Sequence, residues 1–131
     1  MPASLLDTLV AYALDGLPNE VCGILGGKDG RVERVLPLTN AAASPEFYEV
    51  IPEEQLAAYA DLYDAGLVAL GVYHSHPASP ARPSATDVAL AHDPAAVYAI
   101  VSLQDRSNPE VRAYRVRDGE VTEIAITKTE E

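Results

Sequence analysis

Residues 67–87 read LVALGVYHSHPASPARPSATD, and the order of residue types in this stretch sets the architecture. The first seven residues are almost all apolar, which is typical of a central strand buried on both faces. Two histidines, His74 and His76, follow at once, and a proline-rich loop then leads to Ser84 and Asp87. A serine three residues before an acid favours a helix N-cap. The stretch therefore predicts a buried strand, a stiff loop and the start of a helix.

Further helices and strands are predicted on both sides of this stretch. The first helix is expected to have Ser4 as its N-cap and Asp7 at the third helical position. Apolar residues at helical spacing predict a helix at residues 4–14. Signals at the helix ends predict two more, at residues 52–65 and 84–92. Short apolar or alternating runs predict strands at 21–25, 31–38, 47–51, 67–73, 97–103, 111–117 and 120–126. Strands of a mixed sheet flanked by helices indicate an α/β or α+β layered fold.

Length and composition restrict the possible functions. The chain has 131 residues, 20 acidic against 9 basic, and a net charge of −11. This balance argues against nucleic acid and anionic membrane partners, because both are bound through Lys and Arg. No run approaches the roughly 18 apolar residues that span a bilayer. We therefore expect one domain, residues 1–131, with a solvated tail at 127–131; its oligomeric state is not indicated.

The N-terminus and the cysteine content bear on the compartment. The N-terminal residues lack the basic segment of a signal peptide, and Asp7 interrupts their apolar run. Cys22 is the single cysteine, which excludes a disulfide within the chain. We therefore expect a cytoplasmic protein in which Cys22 is a small buried residue.

The two histidines have a spacing that suits a metal ion. In a strand, residues i and i+2 share a face, so His74 and His76 can point the same way. Asp87 lies in the first turn of the following helix, where its carboxylate can turn back toward the strand end. Zinc favours such a set of two imidazoles and one carboxylate, with water in an open fourth position at catalytic sites. The competing interpretation is a helix cap beside a chance H-x-H.

A family resemblance strengthens the metal interpretation. H-S-H-P at 74–77, six further residues and S-x-x-D at 84–87 resemble the signature of the JAMM (MPN+) metallopeptidases. The stretch N-E-V-C-G-I-L-G-G, which contains Glu20, is similar to the family's pattern at an early strand. The resemblance covers nearly the whole chain. It implies an α/β fold of the JAMM (MPN) type, cytidine-deaminase-like, with a mixed sheet flanked by helices.

The resemblance also implies an activity and a role for each residue. His74, His76 and Asp87 would hold Zn²⁺, and Glu20 would act as general base and then general acid. Ser84 would hydrogen-bond the oxyanion, a role expected to compete with its role as a helix cap. The implied reaction is hydrolysis of peptide or isopeptide bonds. The implied substrates and partners are ubiquitin-like or sulfur-carrier proteins that end in Gly-Gly.

Two other functions compete with this one. Relatives called MPN− keep the fold without the metal ligands, so a non-catalytic scaffold or protein-binding module is the alternative. A zinc deaminase would need H-x-E and P-C-x-x-C, and this sequence has neither motif. Among the other polar residues, Ser75 is expected to support or pack beside the site, and His92 is expected at the surface.

Overall fold

The computed structural model describes residues 1–129 and forms a single six-stranded sheet with three helices. Its elements, in chain order, are α1 (Ala3–Asp15), β1 (Cys22–Lys28), β2 (Arg31–Leu38), α2 (Pro52–Asp64), β3 (Val68–His76), α3 (Ala85–Leu90), β4 (Val97–Ser102), β5 (Glu110–Arg117) and β6 (Glu120–Ile124).

The sheet is mixed, which confirms the predicted α/β class. The strand order is β2-β1-β3-β4-β5-β6, and only the β3–β4 pair is parallel within this described sheet. A parallel pair needs a crossover connection, and here the crossover contains α3. The sheet therefore places α3 next to the end of β3, where the two histidines lie.

Helices cover both faces of the sheet. Ile24 and Leu25 are neighbours in β1 and therefore face opposite sides. Leu25 belongs to the core on the α1 side, whose buried members are Leu9, Ala13, Leu25, Tyr73, Ala99, Val101 and Leu103. Ile24 packs on the other side against α2, through Ala58 and Leu62. That second face also carries the site, because His74 and Cys22 are cross-strand partners.

The strand predicted at residues 47–51 is wrong. The segment forms no strand, because the side chain of Asn40 bonds the backbone of this loop. The Asn40 amide oxygen accepts hydrogen bonds from the N–H groups of Ala42 and Glu49, and its amide nitrogen donates to the carbonyl of Phe47.

The N-cap predicted at Ser4 is also wrong. Helix α1 begins at Ala3, with Pro2 in the N-cap position and no capping bond from its side chain. Pro2 instead forms a β-bridge with Thr129, and Ala3 donates a backbone hydrogen bond to the Thr129 carbonyl. Residues 127–129 of the expected tail are exposed, and these backbone contacts hold Thr129 against the N-terminus. Residues 130–131 lie outside the described part of the chain.

Strand β3 is longer than the predicted 67–73, since it continues through His76. Both histidines are therefore part of the ladder, and their backbone is paired with β4. The β1 strand runs to Lys28 rather than ending at Leu25. Within residues 1–129, none of the helices combines the length and apolar character needed to cross a bilayer.

We predict that Gly71→Ala destabilises the fold strongly. A Cβ added at Gly71 would lie 1.9 Å from the Val97 carbonyl oxygen, so β3 and β4 could not keep their spacing. We expect a loss of about 3 kcal/mol or more in the free energy of unfolding, measured by urea titration. The control is Gly30→Ala, where φ is +75° and the space is open, at a cost of about 1–2 kcal/mol. Equal losses in the two variants would contradict the steric explanation.

Candidate metal centre

Three side-chain atoms from β3 and α3 converge at the end of the sheet. His74 Nε2 lies 3.1 Å from His76 Nε2, and Asp87 Oδ2 lies 3.1 Å from the first and 3.0 Å from the second. Both histidines are buried, and Asp87 is half-buried. The structure thus brings together the three residues that the sequence predicted as ligands.

Local structure fixes the Asp87 carboxylate. Ser84 caps α3: its hydroxyl oxygen accepts a hydrogen bond from the Asp87 N–H, at 3.1 Å. In return, Asp87 Oδ2 accepts one from the Ser84 N–H, at 2.9 Å. This capping box is the one predicted from S-x-x-D. It satisfies N–H groups at the start of the helix and orients the carboxylate toward the histidines.

The hydrogen bonds of His76 leave its Nε2 without a proton in the neutral ring. Its Nδ1 donates to the Pro80 carbonyl at 2.8 Å, which fixes the tautomer of neutral His76. Nε2 then presents a lone pair to Asp87 Oδ2, which is also an acceptor. Two acceptors at this distance need a proton or a cation between them. A carbonyl that holds the second ring nitrogen is also the usual arrangement behind a metal-binding histidine.

The spacing of the three atoms fits a small divalent ion. Bonds of about 2.0–2.1 Å around a tetrahedral zinc ion separate neighbouring ligand atoms by roughly 3.3–3.4 Å. The 3.0–3.1 Å separations here are close to that value. Two imidazoles and one carboxylate are also the donor types that zinc accepts. The three residues therefore could hold a metal ion and leave a fourth position open.

The carboxylate is held in its charged form. Burial opposes ionisation of Asp87, but hydrogen bonds from His74, His76 and the Ser84 N–H outweigh it and keep the pKa well below the usual range. Burial lowers the pKa of His76, but its hydrogen bonds with Asp87 and Pro80 raise the pKa by a larger amount. The net shift of the His76 pKa is therefore upward. Without a metal, the same contacts favour a proton at the place where a cation would sit.

Glu20 lies two residues before β1, on the side of the candidate ligands. The Ser75 N–H donates a hydrogen bond to the Val21 carbonyl, at 3.0 Å. Continuing the β1–β3 register by two residues beyond Cys22 and His74 places Glu20 opposite His76. Its side chain is only 4% exposed, and Oε1 has no hydrogen-bond partner among residues 1–129. Burial raises the pKa of Glu20 to about 7; the charge of His76 opposes this rise and that of Asp87 adds to it.

Ser75 anchors the strand that carries Glu20. It is fully buried and faces away from the two histidines, and its hydroxyl oxygen accepts a hydrogen bond from the Val21 N–H at 2.8 Å. This fits the supporting role expected of it. Cys22 is buried as expected, and His92 is exposed as expected.

Sequence reasoning missed two residues that shape the site. Tyr48 stacks on His74 with 5.0 Å between ring centroids, and Asn40 donates a side-chain hydrogen bond to the Glu20 carbonyl. Both lie in the segment between β2 and α2, where part of the chain was wrongly predicted to be a strand. No local pattern marks Tyr48, because its position depends on long-range contacts with β3.

Comparison with known proteins settles the family. The model of the family described as prokaryotic homologs of the JAB domain matches residues 2–117. The chain belongs to this family. It is similar to the CysO-cysteine peptidase of Mycobacterium tuberculosis, at 44% identity over 98% of this chain and 90% of the relative. It is also similar to the desampylase of Haloferax volcanii, at 41% identity over 81% of each chain.

Solved structures agree with this assignment to the prokaryotic JAB family. A solution structure of a protein from Desulfitobacterium hafniense has a TM-score of 0.91 at 44% identity, and covers 99% of this chain and 92% of that one. A JAB1/MPN domain protein from Archaeoglobus fulgidus shares the fold, with a TM-score of 0.61 at 24% identity over 92% and 91% of the two chains. The predicted JAMM (MPN) fold is confirmed, and the chain is a hydrolase of the JAMM protease type.

We predict that the purified chain retains about one zinc ion once zinc is offered and the excess is removed. Asp87→Ala should bring retention close to zero, because the charged ligand is lost and two neutral imidazoles bind weakly. His74→Ala should act in the same direction. Elemental analysis of the protein measures both effects.

The control for the metal prediction is His92→Ala, which removes an exposed histidine away from the cluster. Zinc retention in this variant should equal that of the native chain. Unchanged occupancy in both His74→Ala and Asp87→Ala would show that the three residues do not form the binding set.

We predict that Glu20→Gln stabilises the metal-free protein at pH 8 but not at pH 4. The pKa of Glu20 is raised on folding, so the folded state binds its proton more tightly than the unfolded state does. The associated stability is fully present below the unfolded pKa and is lost as the pH rises through about 7. Gln avoids that loss, and we expect a gain of about 1–3 kcal/mol in the free energy of unfolding at pH 8.

Urea unfolding of the two metal-free proteins at both pH values measures this difference. Glu53→Gln, an exposed change of the same kind, should alter stability little at either pH. A gain from Glu20→Gln that is equal at pH 4 and pH 8 would contradict the burial of an ionising carboxyl.

Proposed function

We propose that this chain is a zinc-dependent peptidase that cleaves a peptide or isopeptide bond at the C-terminus of a ubiquitin-like or sulfur-carrier protein. The convergence of His74, His76 and Asp87 beside the buried Glu20 carries the proposal. The names of its relatives support the substrate class, since one is a CysO-cysteine peptidase and another a desampylase. We place the protein in the cytoplasm, with a protein substrate as its partner.

His74, His76 and Asp87 are the residues that would hold the ion. Zn²⁺ bound there would supply Lewis acidity and lower the pKa of a water molecule toward neutrality. The Pro80 carbonyl orients His76, and the Ser84 N–H orients Asp87, so both ligands are positioned before binding. Such support is what keeps ligands in a productive geometry.

Glu20 is proposed to move the proton. It would accept a proton from the attacking water and later give it to the leaving amine. Three features support this role: Glu20 is buried, its Oε1 has no hydrogen-bond partner within residues 1–129, and the extended β1–β3 register places it opposite His76. A pKa raised by burial to about 7 lies in the range where a carboxyl can both accept and return a proton at neutral pH.

Ser84 is proposed to donate a hydrogen bond to the oxyanion. Its hydroxyl oxygen accepts the capping bond from the Asp87 N–H. A hydroxyl also has one O–H donor, which capping does not use. Ser84 is exposed at the edge of the cluster, so a substrate oxygen can reach it. The two roles that were expected to compete are therefore compatible.

We predict that Glu20→Gln retains zinc but lowers hydrolysis by about 100-fold or more, because Gln cannot accept the proton. The substrate is a sulfur-carrier protein extended beyond its Gly-Gly terminus by one cysteine, and mass spectrometry follows its cleavage. The control is Glu53→Gln, an exposed change at the start of α2, which should keep full activity.

Full activity of zinc-loaded Glu20→Gln would remove Glu20 from the mechanism. No cleavage by the zinc-loaded native chain, with either a cysteine-extended or a lysine-linked substrate, would favour the non-catalytic scaffold. A chain that binds no zinc would favour the scaffold as well.

A further inference from the structure

Glu20 lies outside the strand ladder, so its position depends on bonds from another part of the chain. It follows the turn after α1 and precedes β1 by two residues. Its side chain is buried, but Oε1 has no hydrogen-bond partner within residues 1–129. Because Oε1 has no anchor of its own, the backbone of Glu20 decides where the carboxylate lies.

Both polar backbone groups of Glu20 bond to the β2–α2 segment, residues 39–51. The Glu20 N–H donates to the Ser44 carbonyl, at 2.8 Å. The Glu20 carbonyl accepts a hydrogen bond from Nδ2 of Asn40, at 3.0 Å. The bonds of Ser75, by comparison, go to the next residue, Val21. The β2–α2 segment therefore holds Glu20 itself.

Asn40 also fixes the shape of the β2–α2 segment. Its amide oxygen accepts hydrogen bonds from the N–H groups of Ala42 and Glu49, at 3.0 and 3.1 Å. Its Nδ2 donates a further bond to the Phe47 carbonyl, at 3.1 Å. A network in which each donor and acceptor is used restricts the movement of its members. One side chain thus joins the shape of this segment to the position of Glu20.

The start of the β2–α2 segment is anchored to α2. Glu54, in the first turn of that helix, accepts hydrogen bonds from the N–H and the hydroxyl of Thr39, each at 2.7 Å. Bonds to a charged acceptor are stronger than bonds between neutral groups. Asn40 directly follows Thr39, so an anchored backbone carries the side chain that holds Glu20.

Resting on the proposed function, we propose that Asn40 is a positioning residue for Glu20. Its amide is fully used by backbone groups, so it has no donor left for a substrate oxygen. It acts by keeping the Glu20 carboxylate where a proton can pass between the attacking water and the leaving amine. A misplacement of about 1 Å can cost an enzyme about 100-fold in rate, so the loss of this support should slow the chemical step.

Two variants of Asn40 separate its bonds. Asn40→Asp keeps nearly the same shape and both acceptor bonds within the segment. A carboxylate cannot donate, so the bonds to the carbonyls of Glu20 and Phe47 are lost. Asn40→Ala removes all four bonds and adds no charge. The matched control is Asn108→Asp, the same chemical change at an exposed residue between β4 and β5.

The first measurement is amide hydrogen exchange of the metal-free chain by NMR, which requires no activity. In Asn40→Asp and Asn40→Ala, the Glu20 N–H should exchange about tenfold faster or more, because the segment that carries the Ser44 carbonyl is loosened. The Ile24 N–H, in the middle of β1, should stay within about twofold of its native rate. Asn108→Asp should alter neither amide. Unchanged exchange at Glu20 in both Asn40 variants would overturn the proposal.

The second measurement is a double-mutant cycle on the zinc-loaded chain, with the cysteine-extended sulfur-carrier protein as substrate. Asn40→Asp should lower kcat by about 10- to 100-fold. It should leave KM within about threefold and zinc retention unchanged. In a Glu20→Gln background, the same change should lower kcat by less than about threefold, because the carboxylate that it positions is already absent. Asn40→Ala should give the same pattern in both backgrounds.

Three results of this cycle would contradict the proposal. Equal losses of kcat in the native and Glu20→Gln backgrounds would show that Asn40 supports the segment without acting through Glu20. A loss seen in Asn40→Asp and absent from Asn40→Ala would assign the effect to the added charge. A fall in zinc retention as large as the fall in kcat would assign it to the metal site.

The proposal and the proposed function fail in different ways. If Asn40→Asp keeps full activity while Glu20→Gln loses it, the role of Asn40 fails and the proposed function stands. If the native chain cleaves no extended substrate, or Glu20→Gln keeps full activity, the proposed role of Glu20 fails. Hydrogen exchange at the Glu20 N–H then decides by itself whether Asn40 holds this residue in position.

Discussion

One oxygen atom, Asp87 Oδ2, holds the site together. It lies within 3.1 Å of both imidazole nitrogens and accepts the hydrogen bond that closes the cap of α3. The end of the central strand and the start of the crossover helix therefore meet at a single charge. Because that charge is partly buried, it is stable only with its partners in place. The same contacts that position the candidate ligands thus also position α3.

Hydrogen bonds of the backbone position the remaining residues of the site. Ser75 and Val21 exchange a pair of bonds, one from backbone to backbone and one from backbone to hydroxyl, and these fix Glu20 relative to His76. Groups held by paired strands move less than residues on loops, so these two bonds restrict the movement of Glu20 relative to the histidines. The cleft next to the cluster has the opposite character, since its lining residues Tyr48 and Leu90 come from a loop and a helix end.

The features predicted correctly from the sequence depend only on residues that are close together in the chain. The capping box of α3 needs only Ser84 and Asp87, and the pairing of the histidines needs only a strand period of two. The errors have long-range causes. Ser4 and Asp7 form a local capping pattern, but the helix begins earlier because Pro2 forms a bridge with Thr129 at the opposite end of the sequence. The segment at 47–51 resembled a strand because its apolar residues are visible locally, whereas its contact with Asn40 is not.

The Asn40 side chain has a consequence for where this chain can accept an insertion. Its amide uses both donors and both acceptor positions, on Glu20, Ala42, Phe47 and Glu49, so its bonding capacity is full. The Asn40 side chain thus joins the two ends of the loop between Ala42 and Phe47. Residues inserted between positions 45 and 46 would add little to the entropy cost of closing the loop. The hydrogen bonds of Asn40 on both sides of the insertion would remain in place. New recognition surfaces can therefore be added next to the site without rebuilding it.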